Sequence, residues 1–242
     1  MHDFIWLASQ SPRRRELLDQ IGVTHRLLLP EPGEGGRPKE AAQVLRVPVS
    51  REAPGALEAL QAREGLDDQD DLEALETHQP GEMPVAYVER VTALKLQAAR
   101  HRLAARHTAL GVPLAPILCA DTTVALGRRI LGKPADAQEA EATLGALSGR
   151  THRVLTAVAV WTGRRTLRAL SISRVRVAEL PPAVIHRYID SGEPFGKAGA
   201  YGIQGTMAGW ISRIDGSHSG IMGLPLFETT QLLRRAQVRL GP

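Results

Sequence analysis

Two serines and three consecutive arginines stand between a short apolar run and a leucine-rich segment near the start of the chain. The stretch reads LASQSPRRRELL and contains Ser9, Ser11, Arg13 and Arg14. The first turn of a helix offers free N–H groups and the positive end of the helix dipole, and arginine makes planar, bidentate contacts with phosphate. The pattern indicates a phosphate site; the alternative is a serine-capped helix whose arginines face solvent.

A carboxylate and a lysine follow a second apolar run. Asp121 comes directly after the segment APILCA, and Lys133 stands in LGKP a little further on. The C-terminal end of a strand is where α/β proteins often hold a metal or a catalytic base, although an Asx turn also explains an aspartate there. Lys133 is able to contact a phosphate or to cover apolar surface with its stem.

The segment SGEPFGKAGAYGIQG combines many glycines with the polar side chains of Glu193, Lys197 and Gln204. Glycines at this density indicate backbone conformations or close approaches that a Cβ would hinder. The amide of Gln204 both donates and accepts hydrogen bonds, which suits the edge of a nucleobase. Neither the GxxxxGK[ST] loop nor the GxGxxG fingerprint occurs, so this is not one of those two nucleotide-binding motifs.

Other catalytic patterns are missing from the sequence. It contains no GxSxG elbow and no HExxH motif, and its histidines are scattered without metal-site spacing. The single cysteine, Cys119, excludes an intramolecular disulfide and a multi-cysteine zinc cluster, and it suits a reducing compartment. We expect Cys119 to be a small core residue and His152 to be structural.

Composition narrows the class of protein further. The 242 residues are 43% hydrophobic, enough for a sizeable core, and the net charge of +4 fits an anionic ligand. This charge falls short of the dense basic stripes of many nucleic-acid binders, so no nucleic-acid partner is expected. We find no signal peptide and no run of roughly 20 apolar residues, and we therefore expect a cytoplasmic protein without a membrane partner.

Strands and helices alternate around these residues, which predicts an α/β fold. A strand over 4–8 precedes a helix that begins at the Ser11 cap with Pro12 in its first turn and ends at Gly22, and a strand over 24–30 follows. Further helices are predicted over 85–107, 136–147, 182–190 and 225–237, and further strands over 115–120, 122–134 (a hairpin), 151–163, 165–180 and 209–216.

The stretch from about 36 to 84 differs from the rest in composition. It contains several glycines and prolines, followed by the acidic tract EGLDDQDDLEALE. We interpret it as a flexible, solvated insertion in a single domain spanning 1–242, and we find no catalytic spacing in it.

The three chemistry-bearing segments, in this order and spacing, resemble the Maf family of nucleoside triphosphate pyrophosphatases. The resemblance rests on LASQSPRRRELL, on ADTTVALGRRILGKP and the residues that follow it, and on SGEPFGKAGAYGIQGTMAGWISRIDG. It implies a three-layer α/β/α fold with an elongated, twisted mixed sheet and a cleft between two lobes. It also implies a homodimer that uses Mg²⁺ or Mn²⁺ to hydrolyse a nucleoside triphosphate to the monophosphate and diphosphate, in the housecleaning of nucleotide pools and with a link to arrest of cell division.

The resemblance also assigns roles to individual residues. Asp121 matches the proton acceptor, and Glu34, after the second strand, matches an acidic residue that would help Asp121 to hold the metal. The phosphate-binding and other substrate-binding positions are matched by Ser9, Arg13, Arg14, Lys95, Lys133, Lys197 and Gln204.

Three positions distinguish the branches of the family. The branch acting on 7-methyl-GTP is expected to have tryptophan, glutamine and glutamate where this chain has Arg13, Thr122 and Gln204, so the chain resembles the dTTP/UTP branch, which also tends to accept modified pyrimidine triphosphates. The chain departs from that branch at Gly196, where an aspartate is usual. A regulator of septum formation that binds nucleotide with little turnover is the alternative function. Whichever function holds, the acidic insertion is either a bystander or a lid over the site.

Overall fold

A seven-stranded mixed sheet forms the centre of the computed structural model, which describes residues 1–30 and 76–241. Along the sheet the strand order is β2-β1-β3-β5-β6-β7, and β4 pairs with β3. The strands are β1 (Ile5–Leu7), β2 (His25–Leu27), β3 (Ile117–Leu126), β4 (Arg129–Leu131), β5 (Thr151–Trp161), β6 (Thr166–Val177) and β7 (Ile211–Asp215).

Six α-helices accompany the sheet in the described ranges. They are α1 (Pro12–Gln20), α2 (Pro84–Leu110), α3 (Ala137–Leu147), α4 (Pro182–Asp190), α5 (His218–Met222) and α6 (Leu226–Arg235), and short 3₁₀ turns cover Ala198–Ala200 and Thr206–Trp210. Each predicted helix and the hairpin are present, and Gly22, at φ +63°, follows the end of α1 as expected. Two differences are that β3 runs unbroken through Asp121 and that α5 was not predicted.

Helices cover both faces of the sheet, which confirms the three-layer α/β/α arrangement. On one face Leu96 and Leu103 of α2 pack against Ile117 of β3. On the other face, α1 and α6 bring Leu18 and Leu233 into a cluster with the first strands. These side chains are almost fully buried, and each contributes roughly 1.5–3 kcal/mol through removal of apolar surface from water.

The face opposite α2 carries two hydrophobic clusters with a polar band between them. One cluster surrounds Val160 of β5 and holds α1 and α6, and the other surrounds Val154 of the same strand and holds α3 and α4. Between them lie hydroxyl side chains, including Thr156 on β5 and Ser171, which is its register partner on β6. Helix α5 covers this polar band, and Thr156 donates to the carbonyl of Gly220 at 2.7 Å.

The edge of β3 is open in its middle. β1 pairs with β3 only as far as Leu118, and β4 begins its pairing at Val124. Within the described part of the chain, no strand pairs with this edge of β3 over residues 119–123. Because successive strand residues point to opposite faces, the gap lets side chains from both faces of β3 reach one cavity.

Candidate active site

A cavity of about 470 Å³ lies at this gap in the sheet edge. Its volume is within the usual range of small-molecule sites, roughly 300–1,000 Å³. Its charged and polar lining includes Ser9, Arg13, Arg14, Glu76, Lys95, Asp121, Thr122, Lys133, Lys197 and Gln204. The structure therefore brings together every described residue that the sequence predicted for the site. Glu34 lies outside the described residues.

Ser9 organises the turn between β1 and α1. Its hydroxyl accepts hydrogen bonds from the backbone N–H of Ser11 at 3.2 Å and from Nη1 of Arg14 at 3.0 Å. Ser11 occupies the N-cap position of α1, but its side chain makes no capping hydrogen bond, so the predicted role of the Ser11 hydroxyl is wrong. The hydroxyl of Ser9 is near enough to satisfy the Ser11 amide, and Pro12 has no amide proton to satisfy.

The two arginines of this turn are held by the loop between α5 and α6. Nε of Arg14 donates to the carbonyl of Gly223 at 2.8 Å, and Nε of Arg13 donates to the carbonyl of Met222 at 3.3 Å. Burial lowers the pKa of Arg14, and the nearby charge of Asp121 acts in the opposite direction. The guanidinium remains a cation, since arginine is not deprotonated in proteins. Both arginines are thus fixed before any ligand binds.

A chain of hydroxyl groups supports Arg14 from behind. Its Nη2 lies 3.4 Å from Oγ1 of Thr122, which lies 3.0 Å from Oγ1 of Thr156. Thr156 in turn donates to the carbonyl of Gly220 at 2.7 Å. Thr156 was not predicted from the sequence, because a threonine in a long strand carries no functional pattern. Its register partner on β3 is Thr122, which becomes apparent only when the strands are paired.

Asp121 lies in the interior of β3, three residues past Leu118, where the pairing with β1 ends, and it faces α2. The sequence placed it at the end of a strand, which is wrong, because β3 continues to Leu126 as the first arm of the hairpin with β4. The strand interior is nevertheless open here because β1 stops short. Nζ of Lys95, on α2, donates to Oδ1 of Asp121 at 2.6 Å.

The same lysine joins a second carboxylate to the site. Nζ of Lys95 also donates to Oε1 of Glu76 at 2.6 Å, and Nζ of Lys133 donates to Oε2 of Glu76 at 3.1 Å. Glu76 stands eight residues before α2, in the stretch 36–84 interpreted as a flexible insertion without catalytic spacing. Residues 36–75 of that stretch lie outside the described residues, but for Glu76 the prediction of no site residue is wrong. It is the last acidic residue before the turn at Pro80-Gly81, and only this position in the sequence could have distinguished it as a candidate site residue.

These ion pairs shift the pKa values of their members. Burial alone would raise the pKa of Glu76, but the charges and hydrogen bonds of Lys95 and Lys133 outweigh it and hold the pKa below its usual value. Burial alone would lower the pKa of Lys95, but Asp121 and Glu76 outweigh it and raise that pKa. The site therefore contains a carboxylate and an ammonium that stay charged near neutral pH.

The glycine-rich segment forms the opposite wall of the cavity. Gly199, at φ +72°, packs so closely on β3 that a Cβ there would lie 2.8 Å from Cγ1 of Val124. Nζ of Lys197 donates to the carbonyl of Glu193, and burial, together with the charge of Arg13, lowers the pKa of Lys197. Gln204 is exposed beside it. The segment thus faces the arginines of α1 across the cavity.

Cys119 and His152 are core residues, as expected. Burial raises the pKa of the Cys119 thiol to about 11, which keeps it protonated and unreactive. Burial lowers the pKa of His152 to about 4, and Nε2 of its ring lies 2.7 Å from the hydroxyl of Tyr201. Neither residue takes part in the chemistry of the cavity.

Two other kinds of feature are absent from the part of the chain that the structure describes. No group of three or more His, Cys, Asp or Glu side chains is placed to hold a metal ion in residues 1–30 and 76–241. Among the helices of the same ranges, none combines the length and the apolar character needed to cross a membrane.

Comparison with known proteins agrees with the geometry. The chain matches the family of Maf-like proteins over residues 4–236. It is 52% identical over 239 residues to the dTTP/UTP pyrophosphatase of Cupriavidus pinatubonensis, covering 99% of this chain and 100% of that protein. It is 51% identical over 238 residues to the dTTP/UTP pyrophosphatase of Polaromonas sp., with 98% of each chain covered. With a family match over nearly its whole length and relatives at this identity, the chain belongs to the Maf family.

Proposed function

We propose that this chain hydrolyses dTTP and UTP to the nucleoside monophosphate and diphosphate. The observation that carries the proposal is the single cavity in which Arg13, Arg14 and Lys133 face the carboxylates of Asp121 and Glu76. Cations at this density suit a triphosphate, and carboxylates beside them suit proton transfer and metal binding. Relatives with about half of their residues identical carry the name dTTP/UTP pyrophosphatase, which supports the choice of nucleotide.

The cations bind and orient the triphosphate. Arg13 and Arg14 are fixed by the carbonyls of Met222 and Gly223, so they present their guanidinium groups without reorganisation. Lys133 is more than half exposed at the rim, where it is able to reach an anion that enters the cavity. Phosphoryl chemistry needs charge neutralisation and in-line placement more than covalent help, and a preorganised cation array supplies both.

Asp121 acts as the proton acceptor in this proposal. A water molecule attacks the α-phosphorus, its proton passes to the Asp121 carboxylate, and the bond from the α-phosphorus to the bridging oxygen breaks with loss of diphosphate. Lys95 holds Oδ1 of Asp121 at 2.6 Å and so fixes the direction of the carboxylate. General-base catalysis by a positioned carboxylate contributes on the order of 10²- to 10⁴-fold to the rate.

The carboxylates fit a divalent cation. Oδ1 of Asp121 and Oε1 of Glu76 each lie 2.6 Å from the same nitrogen of Lys95, so the two oxygens are within about 5 Å of each other. Mg²⁺ typically binds through one or two carboxylates, with waters and substrate phosphates as its other ligands. We therefore propose that Asp121 and Glu76 hold Mg²⁺ or Mn²⁺, directly or through water. The bound metal would neutralise charge on the phosphates during hydrolysis.

Gln204 and Thr122 complete the proposal as specificity residues. The amide of Gln204 is able to pair with the edge of uracil or thymine: its NH₂ group donates to O4, and its oxygen accepts from N3–H. Thr122 acts through Arg14, whose guanidinium it contacts at 3.4 Å. A cytoplasmic location remains a prediction from the sequence, and a homodimer and a role in nucleotide-pool housecleaning remain predictions of the family resemblance.

A pyrophosphate-release screen tests the proposed function. The purified chain is assayed with the four common ribonucleoside triphosphates, dTTP and modified pyrimidine triphosphates, each with Mg²⁺, Mn²⁺ or EDTA. We expect release from dTTP and UTP with either metal and none with EDTA. Nucleotide binding without release would favour the regulator of septum formation, and preferred turnover of purine triphosphates would contradict the assigned substrate.

A further inference from the structure

The side chain of Glu193 joins both ends of the short segment that carries Gln204. Its Oε2 accepts hydrogen bonds from the backbone N–H of Thr206 at 3.2 Å and from Oγ1 of Thr206 at 3.0 Å. Its Oε1 accepts from the hydroxyl of Tyr188 at 2.9 Å, and that hydroxyl accepts from the backbone N–H of Gly202 at 3.2 Å. Gln204 lies midway between these two anchored amides.

Glu193 is itself held in place by residues at the end of α4. Tyr188 is buried in the last turn of α4, and Ser191, just after that helix, donates from its hydroxyl to the Tyr188 carbonyl at 2.6 Å. The same Ser191 hydroxyl accepts from the backbone N–H of Glu193 at 3.2 Å. The carboxylate of Glu193 is therefore positioned from a helix rather than from a free loop, which limits the movement of whatever it holds.

The carboxylate of Glu193 fills the space beside Gly205. A Cβ on Gly205 would lie 1.7 Å from Oε1 of Glu193, so the carboxylate occupies the space that any other residue at position 205 would need. The backbone carbonyl of Glu193 also accepts from Nζ of Lys197. The carboxylate of Glu193 thus anchors the backbone on both sides of Gln204, and its carbonyl holds the side chain of Lys197.

We propose that Glu193 is a positioning residue for base recognition, which fixes the segment 202–206 so that the Gln204 amide meets the pyrimidine edge in one orientation. The inference rests on the proposed function, and it assigns to Glu193 no direct contact with substrate. An amide that donates and accepts recognises a base only if its orientation is fixed, and loss of such fixation is able to cost up to about 10²-fold in rate.

The test combines a nucleotide-free measurement with a double-mutant cycle. Hydrogen exchange of the Gly202 and Thr206 amides is measured in the wild-type chain and in Glu193→Ala, Glu193→Gln and Tyr188→Phe variants. Initial rates with UTP and dTTP are measured for the same variants with Gln204 present and with Gln204→Ala. Glu141→Ala is the matched control, because the Glu141 carboxylate contacts only His186 among the described residues, at 3.2 Å on the outer side of α3 and α4.

We expect faster exchange at both amides in Glu193→Ala and a loss of about 10-fold in kcat/KM for UTP, mainly through KM. In the Gln204→Ala background the same change has little further effect, because the group that it positions is gone. Glu193→Gln and Tyr188→Phe give smaller losses, and the control gives none.

Unchanged exchange at the two amides would overturn the inference. So would a penalty of the same size with and without Gln204, since that is the result of a purely structural role. A wild-type chain that releases no pyrophosphate from pyrimidine triphosphates would contradict the proposed function alone, because the exchange measurement needs no nucleotide and still decides whether Glu193 holds the segment.

Discussion

Nζ of Lys95 lies 2.6 Å from Oδ1 of Asp121, although the two residues are 26 positions apart and belong to a helix and to the interior of a strand. The contact forms because α2 crosses the face of β3 at the point where β1 has ended and the strand edge is open. The same ammonium holds Glu76, so a single lysine sets the relative position of both carboxylates.

Replacement of Glu76 by glutamine is expected to lower kcat for UTP by about 10²-fold while the chain still folds. The change keeps the shape of the side chain but removes the charge that pairs with Lys95 and Lys133 and that fits a divalent metal. Steady-state kinetics across a range of Mg²⁺ concentrations measures it, and part of the loss should be recovered at high Mg²⁺.

Glu82→Gln is the matched control for this variant. Glu82 lies six residues further along and makes a two-point ion pair with Arg90, with Nε–Oε1 at 2.6 Å and Nη2–Oε2 at 2.7 Å, but it does not line the cavity. We expect a modest loss of stability, about 1 kcal/mol, and unchanged turnover. Equal kinetic losses in both variants would refute a specific role for Glu76.

The contribution of Glu76 to stability should depend on pH in a defined direction. Its folded-state pKa lies below the 4.5 of an unperturbed glutamate, so the unfolded chain takes up the proton first as the pH falls. The stabilisation is present above about pH 4.5 and is lost as the pH falls through the folded-state pKa. Urea unfolding of the wild-type and Glu76→Gln chains should give free energies that converge below that pH. A difference that stays constant down to pH 3 would contradict the assigned shift.

Two neighbouring threonine positions offer opposite predictions. Thr156→Val breaks the hydroxyl chain between Thr122 and the Gly220 carbonyl, and should cost about 1–2 kcal/mol in stability and up to about 10-fold in kcat/KM. Thr123 is also buried, but its hydroxyl has no hydrogen-bond partner among the described residues. Thr123→Val should therefore be neutral or stabilising by about 1 kcal/mol, because it removes an unpaired polar group. Thermal unfolding and UTP kinetics compare the two variants. Similar behaviour of both would contradict the role of the hydrogen-bonded hydroxyls of Thr122 and Thr156 in supporting Arg14.

Gln204→Glu tests the assignment of the base-reading residue. A carboxylate accepts hydrogen bonds but donates none, so it would repel O4 of uracil and thymine. We expect kcat/KM for UTP to fall by at least about 10-fold, which corresponds to the loss of one well-formed hydrogen bond in a recognition site. Parallel assays with UTP and 7-methyl-GTP show whether the change alters specificity or only activity; an unaltered rate with UTP would remove Gln204 from the site.

Most of the fold could be predicted from the sequence because its local patterns are strong. The helices carry proline or glycine at their ends, and the long strands are rich in β-branched residues, so α1, α4 and the hairpin of β3 with β4 appear where expected. The predicted end of a strand at Asp121 failed for a physical reason. β3 continues into the hairpin with β4, and its amino-acid composition does not change at the point where its pairing with β1 ends.

The site could be predicted only in part, for similar reasons. Arg14 and Lys133 stand in segments whose residue types point to phosphate, whereas Glu76 is the last residue of an acidic tract in which every carboxylate has the same local pattern. Only the packing of α2 on β3 shows which of those carboxylates reaches Lys95. Glu193 likewise depends on a contact with Thr206, thirteen residues away, that no local pattern encodes.

The most direct test of the central claim is pyrophosphate release from dTTP and UTP by the wild-type chain and by Asp121→Asn. Asparagine keeps the shape of Asp121 but cannot accept the proton of the attacking water at neutral pH. We predict rapid release by the wild-type chain in the presence of Mg²⁺ and a loss of on the order of 10²- to 10⁴-fold in a folded Asp121→Asn variant. Near-normal turnover by that variant would contradict the assignment of Asp121 as the proton acceptor.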